Sequence, residues 1–154
     1  MSAIASIRPD SENFPLFVHV LGAMILVGGT LTGVSALAFA RGEARYLRLG
    51  YWSLLVVALP GFVLMRVGAG WIYSRSVWDN LPEGTEDPAW LGIGFIVADL
   101  GALLFLISLI VGGIGVRRLR NDKGSGLLKA TMVISIVLLA AYVVAVWAMS
   151  GKPD

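Results

Sequence analysis

The chain has 154 residues, of which 57% are hydrophobic and 14% are charged. Soluble domains carry roughly a quarter charged residues, and a water-soluble fold of this length could not hide so much apolar surface. Lipid as solvent removes that difficulty. There is no cysteine, which excludes a disulfide framework, a thiolate metal site and a cysteine nucleophile. The net charge of +2 is not read as a nucleic-acid footprint. Its basic residues sit in short loops between apolar segments, where the positive-inside rule accounts for them.

Four apolar segments follow in chain order, at about 14–40, 49–73, 89–116 and 127–149. Each exceeds the roughly 20 residues needed to cross about 30 Å of hydrocarbon. The expectation is an all-α, four-transmembrane-helix bundle forming a single domain. Pro15 and Pro88 sit just inside the first and third helices, where a missing N–H costs nothing. Asp87 and Ser125 are expected N-caps, and Pro60 is expected to kink the second helix. A cleaved signal peptide is the rival reading of the first segment. Its leading region is not basic, and its apolar run is longer than the 7–15 residues of a signal core.

Charge orients the bundle. The first loop carries Arg41, Arg45 and Arg48, and the third carries Arg117, Arg118, Arg120, Lys123 and Lys129. The second loop is acidic, with Asp79, Glu83, Glu86 and Asp87. Loops one and three are therefore expected in the cytoplasm and both termini outside. Trp71, Tyr73, Trp78, Trp90 and Trp147 fall near the outer ends, and Tyr46, Tyr51 and Trp52 near the inner one, as aromatic belts do. His19, Gly22, Leu26, Gly29 and Gly33 form one stripe on the first helix, suited to close backbone approach.

Three ionisable residues lie within the apolar segments: His19, Arg66 and Asp99. Such residues are expensive in hydrocarbon and by default mark functional sites. All three fall about 7–15 Å below the outer surface at a rise of 1.5 Å per residue, and Tyr142 reaches a similar level. Arg66 and Asp99 are expected to pair, because a lone charge at that depth is the worse alternative. His19 and Tyr142 would complete an intramembrane polar cluster. The competing reading is structural: an ion pair that locks two helices in register, and a histidine that merely bonds a neighbouring carbonyl.

No Walker loop, GxGxxG, HExxH, GxSxG or EF-hand occurs, which argues against an enzyme. The one histidine makes a self-contained zinc site improbable. Haem would need His19 from each of two copies, or a second ligand such as Met24, Met65 or Met149. The five methionines have no repeated spacing and read as packing.

The stretch Leu16-Phe17-Val18-His19-Val20-Leu21-Gly22-Ala23-Met24-Ile25-Leu26-Val27-Gly28-Gly29 resembles the first helix of a broad bacterial group. That group includes the DUF2269 predicted integral membrane proteins and the CopD copper-resistance membrane proteins. Leu59-Pro60-Gly61 followed by Arg66 and Gly68-Ala69-Gly70-Trp71 is similar to the second helix of DUF2269 proteins. The DUF2269 likeness implies four helices in about 150 residues in a bacterial plasma membrane, and carries no activity. The CopD likeness implies copper handling, with His19 at the matching position.

Three functions compete at this stage. One is a small-solute or ion transport component with its polar site in the outer half. Another is a structural or assembly subunit of a larger membrane complex, a homodimer included. The third is a haem- or copper-handling protein using His19.

Overall fold

The computed structural model describes residues 10–75, 89–121 and 123–151, which are helical apart from two short connections. Helix α1 is Asp10–Ala38. The second span is continuous in three parts: α2 (Ala44–Ser53), a π-helical turn (Leu54–Ala58) and α3 (Leu59–Arg75). Helix α4 is Ala89–Arg118, followed by a 3₁₀ turn at Leu119–Asn121, and α5 is Ser125–Gly151. Among the described residues, four helices are long and apolar enough to cross a membrane. Their outward surfaces are apolar: Met24, Ile110, Val143 and Trp147 are each more than three-fifths exposed. In water such surfaces would associate, whereas in lipid they need no partner.

The element bounds correct the sequence reading. The first helix starts earlier, at Asp10, so Pro15 lies in its second turn rather than at its first position. It also stops at Ala38, and the chain reverses through Arg41 and Gly42, both at positive φ (43° and 88°), with Glu43 N–H donating to the Ala40 carbonyl at 2.7 Å. The second span starts at Ala44, five residues ahead of expectation. Ser125 is the first residue of α5 rather than its cap. The cap position belongs to Gly124, whose carbonyl accepts the Leu128 N–H at 3.1 Å. Gly124 has φ +123°, and a Cβ there would strike the Gly115 carbonyl, so serine cannot take its place. Asp87, Pro88, Trp78 and the acidic residues of the second loop lie outside the described residues.

Pro60 does not stop the helix. It has no N–H to give the Val56 carbonyl, and the ladder widens just before it, with Leu59 N–H donating to the Leu54 carbonyl five residues back. The expected kink is thus expressed as a π turn.

Two antiparallel hairpins make up the bundle. In the first, α1 packs along the whole second span, and each step down one helix matches a step up the other. His19 meets Gly68, Gly22 meets Met65, Leu26 meets Gly61, Gly29 meets Ala58, Gly33 meets Leu54 and Leu37 meets Gly50. A Cβ on Gly29 would lie 2.7 Å from the Ala58 backbone nitrogen, and one on Gly68 would lie 2.5 Å from that of His19. Backbones this close exchange dispersion energy that larger residues would forbid, which is how helices associate without a hydrophobic drive. Ser53 Oγ donates across the seam to the Gly29 carbonyl at 2.9 Å.

The second hairpin has the same character. Gly94 faces Met149, Gly101 faces Tyr142, Gly112 faces Thr131 and Gly115 faces Leu128. Between these, Ser108 and Ser135 are joined through their hydroxyls at 3.2 Å, and Thr131 Oγ1 donates to the Leu127 carbonyl at 3.0 Å. Ser108, Thr131 and Ser135 are fully buried. The Ser108–Ser135 bond crosses from α4 to α5, whereas the Thr131 bond to Leu127 lies within α5; an interhelical bond of the first kind contributes about 0.6 kcal/mol in a membrane. The hairpins meet where α1 touches α5 and α2 touches α4.

Candidate functional site

Helices α3 and α4 face each other through side chains. Phe62 and Phe105 have ring centroids 5.9 Å apart, and Tyr73 meets Phe95 edge-on at 5.4 Å. Between these aromatic contacts the Arg66 guanidinium donates to the Asp99 carboxylate. The expected ion pair is therefore formed. Both partners remain accessible from the side of the bundle, Arg66 at 41% and Asp99 at 64% of full side-chain exposure. The pair is not sequestered between the four helices.

His19 is level with Gly68, two residues from Arg66, and Tyr142 packs on Gly101, two residues from Asp99. At about 1.5 Å rise per residue the four groups span about 6 Å of depth. Matched depth does not make them one cluster. No hydrogen bond among the described residues joins His19 or Tyr142 to the ion pair. The His19 Nδ1–H donates to the Met65 carbonyl at 2.9 Å, across the α1–α3 seam. The bond is the structural role that competed with ligation in the sequence reading.

Tyr142 is 6% exposed, and its buried hydroxyl has no hydrogen-bond partner among the described residues. A polar group in that state costs about 1–3 kcal/mol. Tyr142→Phe is therefore expected to leave the bundle as stable or about 1 kcal/mol more stable, read as the thermal midpoint in detergent micelles. A loss of more than 1 kcal/mol would show that the hydroxyl is bonded in the folded protein.

The copper that the CopD likeness implies does not fit these residues. His19 offers one nitrogen, and among the described residues no three His, Cys, Asp or Glu side chains come together as a metal-binding group. A haem would likewise find one axial nitrogen per copy.

A second polar region was not singled out by the sequence as a site. At the end opposite the ion pair, two adjoining grooves are lined by Arg45, Tyr46, Arg48, Leu49 and Trp52, and by Arg48, Trp52, Val116, Arg117 and Arg120. Arg48 and Trp52 belong to both, so the basic residues of loops one and three share one end of the bundle. The sequence used these arginines only to orient the helices. Their convergence is a tertiary fact, because α2 and the end of α4 are more than 60 residues apart in the chain.

These features define a membrane helical bundle of two close-packed hairpins. Comparison with known proteins finds no matching family model, no matching curated protein and no matching solved structure.

Proposed function

We propose that the chain is a subunit of a larger assembly in a bacterial plasma membrane, and that the α3/α4 face carrying Arg66 and Asp99 docks against another transmembrane helix. The accessible ion pair carries this reading. Arg66 lies nine residues before the end of α3 and Asp99 ten residues after the start of α4, about 15 Å along each helix axis. Charged side chains at membrane depth nearly always face protein or water rather than lipid. The pair's own bundle leaves roughly half of it uncovered, and a neighbouring helix would supply the missing protein. The basic end faces the cytoplasm and both termini face outward in this arrangement, by the positive-inside rule. The four apolar helices support the membrane assignment and the helical plan.

A second reading, a small-solute or ion transport component, draws on the shared depth of His19, Arg66, Asp99 and Tyr142. On that reading the solute path runs along the α3/α4 face and is completed by the assembly.

The natural absence of cysteine makes the test direct. Val67 and Leu100 flank the pair and are 56% and 58% exposed, and Val143 on α5 is comparably exposed at 61%. Single cysteines at Val67 and Leu100 are expected to give cross-linked adducts in native membranes, with Val143→Cys giving none. Adduct mass then separates a homodimer from a different partner. Monomer alone at all three positions would remove the basis for the proposal.

A further inference from the structure

We infer that the two-lobed groove at the basic end is a binding site for an anionic phospholipid headgroup, of the class that carries two phosphodiesters. The lobes are adjacent and share Arg48 and Trp52, with Arg45 serving one and Arg117 and Arg120 the other. Four arginines thus line two neighbouring grooves, with Arg48 common to both. Among the described residues none of the four is ion-paired or hydrogen-bonded, and no carboxylate lines either lobe. Glu43, the described carboxylate at this end, lies outside both lining sets.

Guanidinium groups bind phosphate oxygens in a planar, bidentate fork, and their charge is permanent. A site with one shared arginine between two lobes offers each of two linked phosphates its own set of donors. One phosphate would occupy two of the four arginines and leave the rest unmatched.

The lipid source follows from the rest of the lining. Leu49 and Val116 give the groove apolar walls, and Trp52 is half exposed, as belt tryptophans at a membrane interface are. Beyond the groove the surface turns wholly apolar, with Val56 and Ile114 exposed toward the bundle middle. Acyl chains would lie on that surface while the headgroup stays with the arginines. Basic pockets between helices at a cytoplasmic interface take anionic headgroups by this arrangement.

The test is native mass spectrometry of the full chain, released from vesicles of phosphatidylcholine containing either cardiolipin or phosphatidylglycerol. Cardiolipin adducts are expected to persist best, phosphatidylglycerol adducts less, and phosphatidylcholine adducts least. Arg48→Gln and Arg117→Gln should each weaken cardiolipin binding about fivefold. Arg48→Lys should recover part of it, and Lys129→Gln should change nothing. Far-UV circular dichroism of each variant confirms an intact bundle, and Arg117, at the end of α4, gives a second reading should Arg48→Gln misfold. Equal retention of phosphatidylglycerol and cardiolipin would overturn the two-phosphate assignment. Retention unchanged in folded Arg48→Gln and Arg117→Gln, or full displacement by millimolar inorganic phosphate, would overturn the lipid site. None of these outcomes depends on the α3/α4 face.

Discussion

Replacing Gly61 by alanine is expected to open the first hairpin. A methyl group at Gly61 would run into the backbone nitrogen of Leu26 and lie 2.9 Å from the Ile25 carbonyl carbon. Both obstacles are main-chain atoms, so no rotamer change can relieve the clash, and one helix must move away from the other. Overpacking of this kind typically costs about 1–3 kcal/mol and can cost more where the backbone must move. The seam makes the upper end the better expectation, because separating the helices at Gly61 also loosens Gly22 against Met65 and Gly68 against His19. The Ser53 bond to the Gly29 carbonyl would stretch with it. The measurement is resistance to unfolding as sodium dodecyl sulfate is titrated into detergent micelles, followed by circular dichroism. Gly70→Ala is the control, because a Cβ there meets nothing within 4 Å. Alanine favours the helix over glycine, so an equal loss at both positions would show that the cost at Gly61 does not come from the seam.

The ion pair should behave as a unit. Arg66→Leu leaves the Asp99 carboxylate without its guanidinium, and Asp99→Leu leaves Arg66 alone. Each single change is expected to destabilise the bundle by about 2–3 kcal/mol, the cost of placing an unmatched charge within a membrane helix. The accessibility of both side chains keeps this below the value for a sealed pair. The double change, Arg66→Leu with Asp99→Leu, should regain most of the loss, since neither charge remains. A double-mutant cycle in the same unfolding assay gives the coupling directly. Simple addition of the two single effects would show that each charge finds solvent or a headgroup by itself. A double variant that is stable as a monomer but gives no adduct through Leu100→Cys would tie the pair to assembly rather than to folding.

The sequence disclosed the spans readily because apolar length is a one-dimensional property. It also disclosed the Arg66–Asp99 pair, since opposite charges at one depth in hydrocarbon have few other ways to be satisfied. The early start of the second span at Ala44 was hidden by Arg45, Tyr46 and Arg48, which break the apolar run while remaining good helix residues. His19 and Tyr142 share the depth of the ion pair without bonding to it, because depth is legible in sequence and direction around the axis is not. His19 shares the glycine stripe of the first helix, and that stripe meets α3 rather than the Arg66–Asp99 pair. Ser53 and Ser108 escaped notice because small hydroxyl residues are common in membrane helices, and only their facing partners reveal their role.

The π turn at Leu54–Ala58 sets the azimuth of everything that follows it on the second span. An α-helix advances about 100° per residue, so shortening that turn by one residue would restore a regular ladder and swivel α3 by roughly that angle. Gly61 and Gly68 would then point away from α1, and the guanidinium of Arg66 would leave its carboxylate. One surplus backbone unit beside Pro60 therefore acts as the indexing pin of the molecule, holding two unrelated surfaces of a single rod in simultaneous alignment with two different neighbours.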